Sequence, residues 1–144
     1  MAGASGSSPA SFELRPIGVI RSALKARGEA PRQGSEGAPD AWLEIEAWAG
    51  DAIDGLAVGD EILILTWLHQ ADRGALKVHP RGDTRNPLAG VFATRSPDRP
   101  NPVGLHPVSI RAIDDAASRP VHRLLVGPIE AIDGTPVIDV KPAL

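Results

Sequence analysis

The densest run of chemically capable residues lies at positions 90–105, GVFATRSPDRPNPVGL. Pro97, Pro100 and Pro102 fix φ at their own positions and disfavour helix at the residues before them. A chain so constrained is extended or turning. It is also stiff, so it holds polar groups at low entropic cost. The groups it holds are Arg95, Ser96, Asp98, Arg99 and Asn101. Two guanidinium groups in such a frame can grip a carboxylate or a phosphate. The Asn101 amide offers both a donor and an acceptor to a base edge. The same residues also fit a structural crossover in which the arginines cap backbone carbonyls.

Other chemistries are excluded by what the sequence lacks. With no cysteine, a disulfide scaffold, a thiol nucleophile, an iron–sulfur cluster and any Cys-ligated zinc are out. There is no Gly-x-Gly-x-x-Gly after a strand, no phosphate-binding P-loop, no His-Glu-x-x-His and no Gly-x-Ser-x-Gly elbow. The four histidines, His69, His79, His106 and His122, are not at metal-ligand spacing, so no metal is expected. A Ser-His-Asp triad can be drawn from any chain with this many Ser and Asp and carries no weight.

Charge is unevenly laid out. The formal net charge of −3 argues against a general polyanion binder. From Gln33 to Asp72 there are nine acids and no Lys or Arg; from Arg73 to Arg99, six bases stand against Asp83 and Asp98. A basic segment in an acidic protein fits a phosphate-facing surface or a solvated loop.

The elements that must position these groups are short. The 144 residues allow one domain, and 15 glycines with 14 prolines leave little room for long helices. Residues 1–11, MAGASGSSPAS, are small and polar without a basic start or apolar core, so they read as a disordered tail and not a signal peptide. No apolar run reaches the ~18 residues of a membrane helix, and the expectation is a cytoplasmic protein with no membrane partner. A first strand is expected at 14–21, then a long Gly/Pro/Arg loop at 26–41. WLEIEAW at 42–48 alternates, with Leu43, Ile45 and Ala47 on one side. A turn or single helical turn follows at 51–58. EILILTWL at 61–68 is apolar and β-branched, which predicts a buried central strand delivering His69 and Gln70 at its carboxyl end. A second long loop at 72–88 has room for a short strand at 76–79. Further strands are expected at 90–94, 107–113, 121–126, 127–132 and 137–140. Seven to nine short strands in one domain at 12–144 predict an all-β fold, a closed or nearly closed β-barrel with long loops and few short helical turns.

The run ATRSPDRPNPVGL resembles the signature of the TsaA/TrmO-like family, S-adenosylmethionine-dependent tRNA methyltransferases built on a β-barrel. Four other stretches agree in order: IGVIRS at 17–22, PRQ at 31–33, WLHQ at 67–70 and DGTPVIDVKP at 133–142. The resemblance spans about residues 14–142 and is to the short form, which lacks the second, C-terminal domain of long members. An aromatic often stands in the family where this chain has Ala143.

This resemblance implies a homodimer with S-adenosyl-L-methionine bound near the subunit boundary. It also implies methylation of N6 of a threonylcarbamoyl-adenosine next to the anticodon of tRNA. Carried over by motif, the cofactor contacts are Pro31, Arg32, Gln33, His69, Gln70, Arg95, Leu105, Asp133, Gly134, Thr135 and Pro136. Arg32 or Arg95 could pair with the cofactor carboxylate, Gln70 or Asp133 with the ribose diol, and Leu105 could cover a ring face. The backbone around Gly134 and Thr135 could read the adenine edge, because glycine allows close approach. Arg99 and Asn101 could bind the nucleotide, with Arg73, Lys77, Arg81 and Arg85 on the phosphates of the anticodon stem-loop. The catalytic residue is unassigned; His69 is the best titratable candidate for a base, and a cofactor or structural hydrogen bond is its other reading. Two further readings stay open: a cofactor- or RNA-binding barrel without turnover, and a methyltransferase acting on another RNA or a small molecule.

Overall fold

A computed structural model describes residues 10–115 and 121–144; positions 1–9 of the expected tail lie outside the described residues. Six strands close an antiparallel barrel: β1 (Gly18–Arg21), β2 (Ala41–Ile45), β3 (Glu61–Trp67), β6 (Val103–Asp114), β7 (His122–Gly127) and β8 (Pro136–Pro142). Around the barrel they run β1-β2-β7-β6-β3-β8 and return to β1. Two short strands, β4 (Lys77–Val78) and β5 (Ala89–Gly90), form a separate two-stranded sheet in the second long loop. Closure leaves none of the six barrel strands with a bare edge.

Alternation explains the barrel wall. Ile62, Ile64 and Thr66 of β3 point inward and are buried, as are Gly104, His106, Val108 and Ile110 of β6. With Ile20, Leu43, Ile45, Leu124, Val126, Ile129 and Val137 they fill the interior. Each such aliphatic side chain stabilises the fold by roughly 1.5–3 kcal/mol when fully buried. β3 is apolar on both faces, but only one face meets the core. Leu63, Leu65 and Trp67 point outward, opposite Pro107, Leu105 and Val103 of β6. The strand expected to be buried throughout is therefore half wall, half surface.

Several expected boundaries are corrected. The strand placed at 127–132 ends at Gly127. Pro128 has no N–H, the Ile129 amide donates to Pro39, and the Asp133 amide donates to Leu24. These donors thus go to the two ends of the first long loop instead of a ladder, while Ile129, Ala131 and Ile132 are buried. The strand placed at 90–94 stops at Gly90, and Val91–Ala93 is a 3₁₀ turn. Both the amide and the hydroxyl of Thr94 donate to the Val91 carbonyl and close that turn. β2 ends at Ile45, and Ala47 and Trp48 belong to a 3₁₀ segment, Ala47–Ile53. β6 begins at Val103, four residues before the expected start at 107.

β1, β3 and β7 end, and β2, β6 and β8 begin, at one end of the barrel, the upper end below. The three loops and the Pro-rich segment that carry the motif residues all issue from it.

Candidate cofactor site at the upper end of the barrel

The first long loop leaves β1 and returns at β2, with 3₁₀ turns at Arg27–Glu29 and Gly34–Glu36. Between them lie Pro31, Arg32 and Gln33, with both Arg32 and Gln33 exposed. One residue ties this loop to the two other motif stretches. The Arg27 guanidinium donates to the Gln70 carbonyl at 3.2 Å and lies 3.3 Å from the Asp98 carboxylate. Asp98 in turn accepts the Asp72 amide at 2.9 Å. The first loop, the end of β3 and the Pro-rich segment are therefore clasped at one point. Arg27 carries no motif signal; only its partner, far along the chain, shows its role.

The Pro-rich segment is braced from within. Arg99 donates from one nitrogen to the Thr94 and Ser96 carbonyls, at 3.0 and 2.9 Å. The carbonyl-capping alternative is the one observed for this arginine, which leaves less of its fork for a substrate. Asn101 accepts from Arg73 at 3.1 Å, and Arg73 also donates to the Pro100 carbonyl and lies over the Trp67 ring. Arg95, by contrast, is exposed and engages no other group among the described residues, so its whole fork is available. His69 and the Gln70 side chain are likewise exposed at the end of β3.

The last motif is a tight turn joined to β1. Gly134 adopts φ +84°, a left-handed value that favours glycine, and its amide donates to the Ile20 carbonyl. Thr135 is buried and its hydroxyl donates to the Ile132 carbonyl at 2.7 Å, so this side chain serves the turn. Asp133 accepts the Ser22 amide at 3.0 Å and pairs with Lys25 at 3.4 Å. The Ser22 hydrogen bond, aided by Lys25, holds its carboxyl below the usual aspartate range. Pro136 opens β8 beside Val19.

Leu105 stands apart from these loops, on the outer wall of β6 and 43% exposed. It is the centre of an apolar strip: in cross-strand register, Leu63 faces Pro107, Leu65 faces Leu105 and Trp67 faces Val103.

The basic loop is more neutral than its sequence. Arg81 binds Glu36 at 2.7 Å and Arg85 binds Asp83 at 2.7 Å. These bonds hold the Glu36 and Asp83 carboxyls below their usual range. Of the four cations expected on phosphates, Arg81 and Arg85 are paired with carboxylates, whereas Arg73 has only neutral partners and Lys77 has none among the described residues. Among these residues no group of His, Asp or Glu could hold a metal ion, and no helix is long and apolar enough to cross a membrane.

The chain is similar to known proteins. A "Probable S-adenosyl-L-methionine-binding protein" of Methanothermobacter thermautotrophicus is 42% identical over 131 residues, covering 91% of this chain and 89% of the relative. An "S-adenosyl-L-methionine-binding protein" of Archaeoglobus fulgidus is 39% identical, covering 89% and 86%. The crystal structure of TrmO from Pseudomonas aeruginosa superposes with a TM-score of 0.72 at 30% identity. That match covers 95% of this chain and 56% of the TrmO chain, so the present chain spans little more than half of that protein. Residues 19–144 match the model of the tRNA-methyltransferase O N-terminal domain, and the chain belongs to that family.

Proposed function

We propose that this domain is an S-adenosyl-L-methionine-dependent methyltransferase that methylates N6 of threonylcarbamoyl-adenosine next to the anticodon of tRNA. The observation that carries the reading is the clasp of Arg27 on Gln70 and Asp98. It gathers PRQ, WLHQ and the Pro-rich motif at one end of a barrel of the TrmO family.

The residues present fit the cofactor. Arg95 and Arg32 are exposed guanidiniums suited to its carboxylate. The Gln70 amide suits a ribose hydroxyl. Asp133 already accepts a backbone amide, so it serves the site mainly by fixing the turn whose Gly134 backbone can approach closely. Leu105 offers an apolar face. When bound, the cofactor supplies an electrophilic sulfonium methyl group. The protein's part is then positioning: the acceptor nitrogen must lie about 3 Å from that methyl, in line with the leaving sulfur. A urea-type N6 is a weak nucleophile, and our candidate for the group that takes its proton is His69, exposed beside Gln70.

We further propose that two copies pair through the β3/β6 outer face. Six apolar side chains in register are more than a solvated wall needs. By the motif Leu105 is also a cofactor contact, so pairing through this face would set the cofactor near the subunit boundary. A cytoplasmic location fits the absence of cysteine.

A second reading is favoured by the ion pairs Arg81–Glu36 and Arg85–Asp83. They remove charge from the expected RNA surface, and with the net charge of −3 they suit a barrel that binds the cofactor without a tRNA. One experiment separates the two. Threonine tRNA carrying the modified adenosine is incubated with protein and cofactor, digested, and its nucleosides weighed. The addition of one methyl to the modified adenosine supports the first reading. Calorimetric binding of cofactor with no methyl transferred to tRNA supports the second.

A further inference from the structure

Beneath the candidate site lies a polar trio, with Thr66 and His106 buried in an otherwise apolar barrel and Glu130 partly exposed, at 19%. Thr66 Oγ1 is 2.7 Å from His106 Nε2, and His106 Nδ1 is 2.5 Å from Glu130 Oε1. Thr66 is 0% and His106 4% exposed. A carboxylate only accepts, so Nδ1 donates to Glu130, and in the neutral ring Nε2 accepts the Thr66 hydroxyl proton. Every member is satisfied, yet an apolar trio of similar volume would fill the barrel at least as stably. Thr66 is sealed in the wall, so the arrangement is no nucleophilic triad.

Its placement gives it a use. Each member touches a different stretch of the site. Thr66 lies three residues before His69, at a register shift where β3 and β8 fall out of step between Leu65 and Thr66; such irregularities re-aim the chain beside them. His106 follows Leu105 in β6, and a Cβ at Gly104 would collide with both the Thr66 hydroxyl and the His106 ring. Glu130 faces the first long loop: a Cβ at Gly34, next to Gln33, would lie 3.3 Å from its Oε2 and against the Pro128 carbonyl. The trio thus lies beneath the first long loop and the end of β3, as Arg27 clasps the loops from above.

We infer that His106 is a positioning residue that, through Thr66 and Glu130, sets the first long loop and the end of β3 at the spacing cofactor binding needs. This inference rests on the location of the cofactor site proposed above. It predicts that affinity follows the trio's hydrogen bonds and not its bulk.

The test compares the full chain with T66V, T66S, E130A and E130Q. Cofactor affinity is measured by calorimetry, thermal stability by circular dichroism, and loop order by hydrogen exchange at residues 31–36 and 68–70. T66V and E130A should weaken cofactor binding about five- to tenfold, the size of one lost hydrogen bond, and speed exchange in both segments. T66S and E130Q, which keep a hydroxyl and an accepting oxygen, should bind within about twofold of wild type. T66V guards against misfolding, because it puts a methyl where the hydroxyl was. Lowered melting temperatures with unchanged affinity and unchanged exchange would mean a structural role alone and overturn the inference. So would T66S and E130Q failing as badly as the deletions. If wild type itself does not bind S-adenosyl-L-methionine, the proposed site falls. Exchange then decides the trio separately: faster exchange in T66V and E130A upholds positioning, and unchanged exchange ends it.

Discussion

The guanidinium of Arg27 lies 3.3 Å from the Asp98 carboxylate, between residues 71 positions apart in the chain. Both side chains are partly exposed, at 45% and 29%, so the pair's share of folding stability is of the order of 0–1 kcal/mol. Its consequence is geometric, since Asp98 also holds the Asp72 amide and Arg27 also holds the Gln70 carbonyl. R27A and D98A should each leave the melting temperature within a few degrees of wild type and lower cofactor affinity several-fold. The double variant should lose little more than either single one, because both break the same clasp. Calorimetry on the three variants checks this; losses that multiply in the double variant would show that the two residues act separately.

Gly104 lies where β6 crosses the polar trio, with no space for a side chain. G104A drives a methyl group against a hydroxyl and an imidazole in a closed barrel, which cannot widen locally. Overpacking of this kind costs about 1–3 kcal/mol, which thermal melting should register as a drop of several degrees. G28A is the control, since a Cβ at Gly28 would meet no atom within 4 Å. Equal melting of the two variants would contradict the packing assigned to Gly104.

Where one physical signal dominated, the sequence was enough to read the fold. Leu43 and Ile45 alternate with Trp42 and Glu44, and β2 is where that pattern puts it. The apolar run after Glu61 is β3. Alternation fails at 127–132 because Ile129, Ala131 and Ile132 are buried by an irregular segment whose amides bond to Pro39 and Leu24. Ile129 and Ala131 are buried in the barrel core, and the amide partners lie in the first long loop, distant in sequence, so no local window contains either. The candidate site divides in the same way. Arg95, His69 and Gln70 stand out by residue type beside stiff or apolar segments. Arg27, His106 and Glu130 do not, because each is defined by a partner more than twenty residues away. His106 had one local signal: Gly104, His106, Val108 and Ile110 share the inward phase of β6, visible once the strand is begun at Val103.

Leu105 is central to six outward apolar side chains on β3 and β6. If a second copy covers this face, a carboxylate at that position would be buried without a partner, at a cost of several kcal/mol. L105E should therefore be monomeric by light scattering at concentrations where wild type is dimeric. Because the side chain points away from the core, the variant should keep a native circular dichroism spectrum. A wild-type protein that is monomeric at all concentrations, or an L105E dimer, would rule this face out as the interface.

Acid stability offers a test of the last turn. Asp133 is held below the usual aspartate pKa, chiefly by the Ser22 amide and then by Lys25. A carboxyl whose folded pKa is depressed contributes stability that is complete above its unfolded value, about 3.9, and is lost as pH falls through the folded value. Wild type should therefore lose melting temperature more steeply than D133N as pH falls below about 4, while the difference between them stays constant at neutral pH. D133N keeps an oxygen that can accept the Ser22 amide but cannot pair with Lys25, so at neutral pH it should melt modestly lower. Melting curves between about pH 2 and 7 decide the matter. Parallel acid limbs for the two proteins would mean that the Asp133 bonds to Ser22 and Lys25 are not maintained in solution, and the turn that presents Gly134 would lose its anchor.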